Sequence, residues 1–317
     1  MANTTPITAG IDTAKDKLDI AIPSAKLHLT VANQPLGYKH LTRVLRRAGV
    51  GRVGIEATGG YERGVVEHLR AAAFEVIVLQ PLQVKALAQM RLQRAKNDRI
   101  DAALIATCAA LSEPYDTPHD PRIQPLADML TFVEQVEEDI VRAKTRLEKT
   151  KNARLCRIIE RDIKAFEARR KFELCQIMLA LAQHADLKRR LELIQSVPSL
   201  GARTALAIVL RMPEIGQISR EQAAALAGLA PFDNDSGSHH GAREIAGGRG
   251  RLRRSLYMAA LSAAFHHNKA LMSFYQRLTK RGKPHKLALV AVARKLLIFA
   301  NTVVQRGTPW CQGPLPA

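Results

Sequence analysis

Four carboxylates are spaced to do chemistry: Asp12, Glu56, Asp98 and Asp101. Asp12 ends the apolar run Ile7-Thr8-Ala9-Gly10-Ile11, and Glu56 ends a second, Val53-Gly54-Ile55. Asp98 and Asp101 stand three apart in Lys96-Asn97-Asp98-Arg99-Ile100-Asp101, at the opening of a helix-like stretch. Residues i and i+3 share a helix face, so both can point at one spot. Crowded carboxylates repel one another, and such a cluster makes sense as a cradle for hard cations. Mg²⁺ takes carboxylate oxygens together with substrate phosphates, and two ions about 4 Å apart clamp an in-line phosphoryl transfer.

A second chemical candidate lies far downstream, in Pro231-Phe232-Asp233-Asn234-Asp235-Ser236-Gly237. Polar turn residues around Ser236 predict an exposed loop, and Gly237, Gly241, Gly247 and Gly248 would let backbone approach a ligand closely. Arg243, Arg249 and Arg253 are candidates for bidentate contacts to phosphate oxygens. A serine beside such arginines is a candidate nucleophile for a phosphodiester. It would need a base, from His239, His240 or Asp235, or a metal ion. Residue types alone favour a flexible Gly/Ser loop with a capping serine.

The elements that must position these groups follow from pattern. Residues 7–12, 17–22 and 27–32 predict three strands. A helix at 37–48, a strand at 50–56, a helix at 61–73, a strand at 75–79 and a helix at 98–111 follow. Three early strands, then alternating helices and strands, predict an α/β sheet with a meander start, in the order of a ribonuclease H-like fold. Asp12 then falls on the central strand and Glu56 on its neighbour. Pro114, Pro118, Pro121 and Pro125 mark a boundary. Residues 126–197 contain neither Gly nor Pro, and Leu126, Leu130, Val133, Ile140 and Leu147 recur near a 3.5-residue period. Long helices are expected there, as an antiparallel pair or coiled coil. They would serve as a dimerisation or spacer arm, or as an ordinary layer on their own domain. Val197-Pro198-Ser199-Leu200-Gly201 before an apolar helix has the look of a helix-hairpin-helix turn, which would offer backbone N–H groups to a phosphate. The predicted domains are residues 1–120, a helical linker at 121–192, and a mainly helical C-terminal domain at 193–317.

The net charge of the 317 residues is +19, with a sequence pI of about 10.2. Residues 231–317 carry 14 Lys+Arg against 3 Asp+Glu, a net of +11. That excess implies a polyanionic partner, most simply nucleic acid bound with steep salt dependence. Four scattered cysteines give neither zinc-ligand spacing nor a disulfide framework. No secretory signal is evident and no membrane partner is expected, so a reduced, cytoplasmic, nucleoid-associated protein is anticipated. Aromatic residues make up only 4%, which argues against base-stacking platforms.

These motifs together resemble the DEDD transposases of the insertion-sequence 110 family, which include the Piv-type DNA invertases. The resemblance rests on Gly10-Ile11-Asp12, on Glu56-Ala57-Thr58-Gly59-Gly60-Tyr61, and on Lys96-Asn97-Asp98-Arg99-Ile100-Asp101-Ala102. It continues through Leu229-Ala230-Pro231-Phe232, Asp235-Ser236-Gly237, Gly247-Gly248-Arg249 and Leu256-Tyr257-Met258. It implies a RuvC-like N-terminal domain, a coiled-coil linker and a transposase domain. It implies Mg²⁺, two ions, on Asp12, Glu56, Asp98 and Asp101, with Ser236 as a nucleophile joined covalently to DNA. The implied partners are donor and target DNA, a noncoding bridge RNA, and further copies of the chain as a homodimer assembling to a tetramer. The family commonly has Asn-Arg before Asp-Ser-Gly, whereas Asp233-Asn234 stand here. Two other functions fit the acids: a RuvC-like Holliday-junction resolvase or nuclease using water, and a non-enzymatic nucleic-acid-binding protein.

Overall fold

The computed structural model describes residues 6–93, 97–113, 120–233, 235–236, 239–241 and 243–311; for residues 235, 236, 239 and 240 it describes backbone only. Lys96, Pro114, Pro118, Asn234 and Gly237 lie outside the described residues. The chain forms two compact units, Met1–Asp116 and Thr117–Ala317.

Unit 1 is mixed α/β. In chain order it comprises β1 (Ile7–Thr13), β2 (Lys17–Ile22), β3 (Leu27–Ala32), α1 (Pro35–Arg47), β4 (Val50–Glu56), α2 (Arg63–Ala71), β5 (Glu75–Leu79), α3 (Pro81–Met90) and α4 (Asp98–Leu111). The sheet order is β3-β2-β1-β4-β5, with β1 central. β1 to β3 are antiparallel, while β4 runs parallel to β1 and β5 parallel to β4. Both faces of the middle strands are covered, which explains their unbroken apolar runs. Ala9, Ile11, Val53 and Ile55 face a core with Leu41 and Leu45 of α1 and Val65 and Leu69 of α2. The alternate residues Gly10 and Gly54 face α4: a Cβ at Gly10 would lie 2.1 Å from the Ala102 carbonyl oxygen, and one at Gly54 2.5 Å from the Ala109 Cβ. Glycine at both places is what lets α4 lie so close to the sheet.

Two helix starts and one whole helix differ from the sequence expectation. α1 begins at Pro35, because proline is pre-set for a first helical turn. α2 starts at Arg63, since Gly59 and Gly60 take positive φ in the turn before it. α3 was not anticipated: it buries only Val84 and Leu87, too few apolar positions to set a helical period.

Unit 2 is mostly helical. The antiparallel pair α5 (Ile123–Lys149) and α6 (Ala153–Ala182) leads to α7 (Ala185–Gln195), α8 (Ala202–Arg211) and α9 (Arg220–Leu226). Four two-residue strands follow: β6 (Pro231–Phe232), β7 (Asp235–Ser236), β8 (His239–His240) and β9 (Glu244–Ile245). The chain ends in α10 (Gly250–Ser262), a π-helical turn at Ala263–His267, α11 (Lys269–Lys280) and α12 (His285–Arg306). Pro125 does not break α5; it sits in the first turn, where no internal N–H bond is lost. Leu130 and Val133 of α5 and Ile177 and Leu181 of α6 belong to the core built by α7, α8, α10 and α12. The far halves of α5 and α6 have a small cluster of their own, Ala143, Ile159 and Ile163. The pair is therefore a layer at one end and an arm at the other. Glu134, 8% exposed, locks the layer: it receives Arg211 at 2.8 Å, Arg251 at 2.8 Å and Arg203 at 3.6 Å, joining α5 to α8 and α10. α12 is long and apolar enough to cross a membrane by length and composition alone, but Leu289, Val292, Leu296 and Leu297 on it are fully buried in this core.

Candidate functional site

Strand alternation decides where Asp12 points. It shares the α4 face of β1 with Gly10, two residues back. β1 and β4 run in register, Gly10 beside Gly54 and Ile11 beside Ile55, so Glu56 ends the neighbouring strand level with Asp12. α4 opens with Asn97 as N-cap, whose side chain accepts from the Ile100 N–H at 2.8 Å. Asp98 and Asp101 occupy the first turn, where the positive helix terminus favours anions. The carboxyl of Asp12 titrates above the usual carboxylate range, first because it is buried and then because Asp101 and Asp98 repel its charge; Asp19 adds to this and a hydrogen bond from the Thr13 N–H opposes it. Asp12 thus senses two of the other three expected acids.

Two residues absent from the sequence expectation join them. Asp19 of β2 is the cross-strand partner of Asp12 and accepts from the Thr30 hydroxyl at 2.5 Å. Lys17, two residues before it on the same face, donates to Asp98 and lies 2.9 Å from Asp19. These carboxylates hold the Lys17 ammonium protonated well above its ordinary range, the Asp98 hydrogen bond contributing most. The signal was the alternation Lys17-Leu18-Asp19-Ile20, which a hairpin folds back onto Asp12. The loop after Glu56 is held by Glu62, which accepts from the N–H groups of Thr58 at 3.0 Å and Gly60 at 2.9 Å.

Among the described residues no three acidic, His or Cys side chains converge closely enough to hold one ion as they stand. The donor set nevertheless fits a hard divalent cation: its oxygens are all carboxylate, Asp12 is destabilised by neighbouring negative charge, and an ammonium already occupies part of the cluster.

In unit 2 the segment carrying Ser236 leaves the helical body through a narrow neck. β6 pairs with β9, Phe232 opposite Glu244, and further out β7 pairs with β8, Ser236 opposite His239. The segment thus carries two nested ladders. At the neck Gly228 and Gly248 have positive φ, and a Cβ on Gly248 would lie 2.2 Å from the Gly228 nitrogen. The Arg249 N–H closes the neck on the Leu226 carbonyl at 2.9 Å. Gly228 and Gly248 therefore let the two sides of the neck pack backbone to backbone. The three expected phosphate-binding arginines all have partners within the protein. Arg249 makes a bidentate pair with buried Glu214 at 2.6 and 2.7 Å. Arg253 donates to the Gly247 carbonyl at 2.6 Å. Arg243 reaches Asp233 at 2.7 Å. In the turn between α7 and α8, Ser199 takes a positive φ and Gly201 leaves α8 without a side-chain cap.

A sheet unit with carboxylates crowded at the end of its central strand, joined to a strongly basic helical unit, defines an enzyme class that works on nucleic-acid strands. Residues 9–151 match the DEDD transposase family of IS110, described as "Transposase", and residues 191–276 match "Transposase IS116/IS110/IS902 family". The chain is 26% identical over 312 residues to the pilin gene-inverting protein of Moraxella bovis, covering 95% of this chain and 96% of that protein, with the same figures for Moraxella lacunata. It is 31% identical over 117 residues to the "Insertion element IS110 uncharacterized 43.6 kDa protein" of Streptomyces coelicolor, covering 36% of this chain and 29% of that protein. The chain belongs to the IS110 family of transposases, related to the Piv-type invertases, and is a DNA-recombining enzyme.

Proposed function

We propose that the protein cuts and rejoins DNA strands through a RuvC-like acid site and a serine nucleophile, guided by a bridge RNA. The carrying observation is the placement of Asp12 at the end of the central strand beside the first turn of α4, where burial and the charges of Asp101 and Asp98 raise its pKa. The sheet order and the family match support a RuvC-like, ribonuclease H-type unit 1. Asp12, Glu56, Asp98 and Asp101 would hold Mg²⁺, with Lys17 and Asp19 at the edge of the set. The bound metal would polarise the phosphodiester and offset the charge that develops on its oxygens.

Ser236 supplies the attacking oxygen. Its Oγ forms a bond to phosphorus, one deoxyribose hydroxyl leaves, and the serine proton passes to a base. The DNA end is then held as a phosphoserine diester. Attack by the hydroxyl of a second strand restores Ser236, so one P–O bond is exchanged for another and no ATP is needed. The basic unit 2 would grip backbone phosphates, with sequence choice left to pairing with the RNA, and the chain would act as a dimer assembling to a tetramer. The deciding experiment is a denaturing gel of protein with labelled DNA and Mg²⁺. A covalent adduct lost in Ser236→Ala is expected; cleavage by that variant without any adduct would instead identify a nuclease using water. Sequencing of RNA that copurifies with the chain tests the guide.

A further inference from the structure

With Arg243, Arg249 and Arg253 committed internally, other cations of unit 2 are left to meet a ligand. A groove of about 560 Å³ runs between the β6/β9 ladder and the first half of α12. Lys283, Lys286, Arg294 and Arg243 edge it, against one acid, Glu244. Among the described residues, Lys283, Lys286 and Arg294 take part in no salt bridge, unlike Arg243 and Arg249. Helical spacing explains the layout. Lys286, Val290 and Arg294 follow at i, i+4 and i+8, with Leu287 and Ala291 on the adjoining row. Cations therefore flank an aliphatic strip, and Leu229 and Ile245 continue it on the ladder side. Leu287 is 44% exposed, although it sits on the helix that forms the core of the unit.

We propose that this groove binds a single DNA strand next to the phosphodiester attacked by Ser236, with phosphates on Lys283, Lys286 and Arg294 and a base against Leu287 and Val290. Charge complementarity selects a polyanion. The volume lies in the range of small-ligand pockets, which suits one or two nucleotides and excludes a duplex. The location selects the strand: β6 is one wall of the groove, and Ser236 stands only four residues beyond Phe232, within about 13 Å of extended chain. The N-terminus of the 22-residue α12 adds its positive end at the same edge.

This inference rests on Ser236 being the nucleophile, and the test separates the two. Full-length Ser236→Ala protein, in chelator so that no strand is cut, is titrated with a fluorescent single-stranded oligonucleotide across a salt series. Each phosphate contact on a single strand contributes about 0.7 to the log–log salt slope. Changing Lys283, Lys286 and Arg294 together to Gln should lower that slope by about 2 and weaken binding at least tenfold, with the melting temperature unchanged. A photo-crosslinking residue at Leu287 should capture the single strand. An unchanged slope, equal competition by duplex DNA, capture of the RNA version alone, or displacement by polyglutamate would each overturn the groove. In the separate denaturing-gel assay with Mg²⁺, adducts that persist in Ser236→Ala would overturn the nucleophile while leaving the groove measurements intact.

Discussion

Lys17 and Asp98 are hydrogen-bonded across the edge of the acid cluster, a strand lysine reaching the first residue of a helix. Because Asp19 holds the same ammonium, Lys17 acts as a tethered counter-ion for carboxylates that would otherwise only repel. A divalent ion must displace it or share its ligands. Lys17→Met should bind Mn²⁺ several-fold more tightly than the parent in calorimetric titration. Unchanged or weaker binding would remove the counter-ion role.

Asp12 makes a pH-dependent prediction. Its folded pKa is raised, so the protonated form suits the fold and ionisation costs stability. Its favourable contribution is present below the ordinary carboxylate range and disappears as pH rises through the elevated folded value. In chelator, Asp12→Asn should therefore melt higher than the parent near neutral pH, with the gap closing toward pH 4. Melting curves collected from pH 4 to 8 check the sign, and a gap that widens in acid contradicts it.

Gly10 sets how closely α4 approaches the sheet. Gly10→Ala places a methyl against the backbone of Ala102 and Ala106, and overpacking of this kind costs about 1–3 kcal/mol. The displaced helix carries Asp98 and Asp101, so strand cleavage should fall further than stability does. Urea unfolding and cleavage assays on the same preparation test both halves.

Glu214 and Arg249 hold the neck. Burial pushes the Glu214 carboxyl up, but the Arg249 hydrogen bonds and a backbone hydrogen bond outweigh it, leaving the pKa below its ordinary value. The pair thus contributes stability above the ordinary carboxylate range and loses it as pH falls through the depressed folded value. Glu214→Ala leaves a partly buried guanidinium uncompensated, and a loss on the order of 3 kcal/mol is expected near neutral pH. The deficit relative to the parent should shrink in acid.

Much of unit 1 was legible because its strands are short apolar runs ended by polar residues, so Asp12 and Glu56 could be placed from alternation alone. Lys17 and Asp19 were hidden because nothing local distinguishes them from solvent-facing strand residues; only the register with β1 brings them to Asp12. The internal partners of the arginines were equally hidden. Arg249 and Arg253 look like ligand-binding groups in sequence, while Glu214, 35 residues from Arg249 along the chain, and the Gly247 carbonyl claim them in the fold. The groove on α12 was similarly obscured, since its cations sit within the apolar pattern of a core helix.

The neck has a consequence for how this region can vary. Residues 227–248 depart from and return to one point, closed by the bond from the Arg249 N–H to the Leu226 carbonyl. Closing a loop that is already closed at its base depends only weakly on its length, with a doubling costing about 0.6 kcal/mol. The segment bearing Ser236 can therefore lengthen, shorten or be exchanged between relatives as a cassette, with the helical body registering little beyond the two glycines and two arginines at its root.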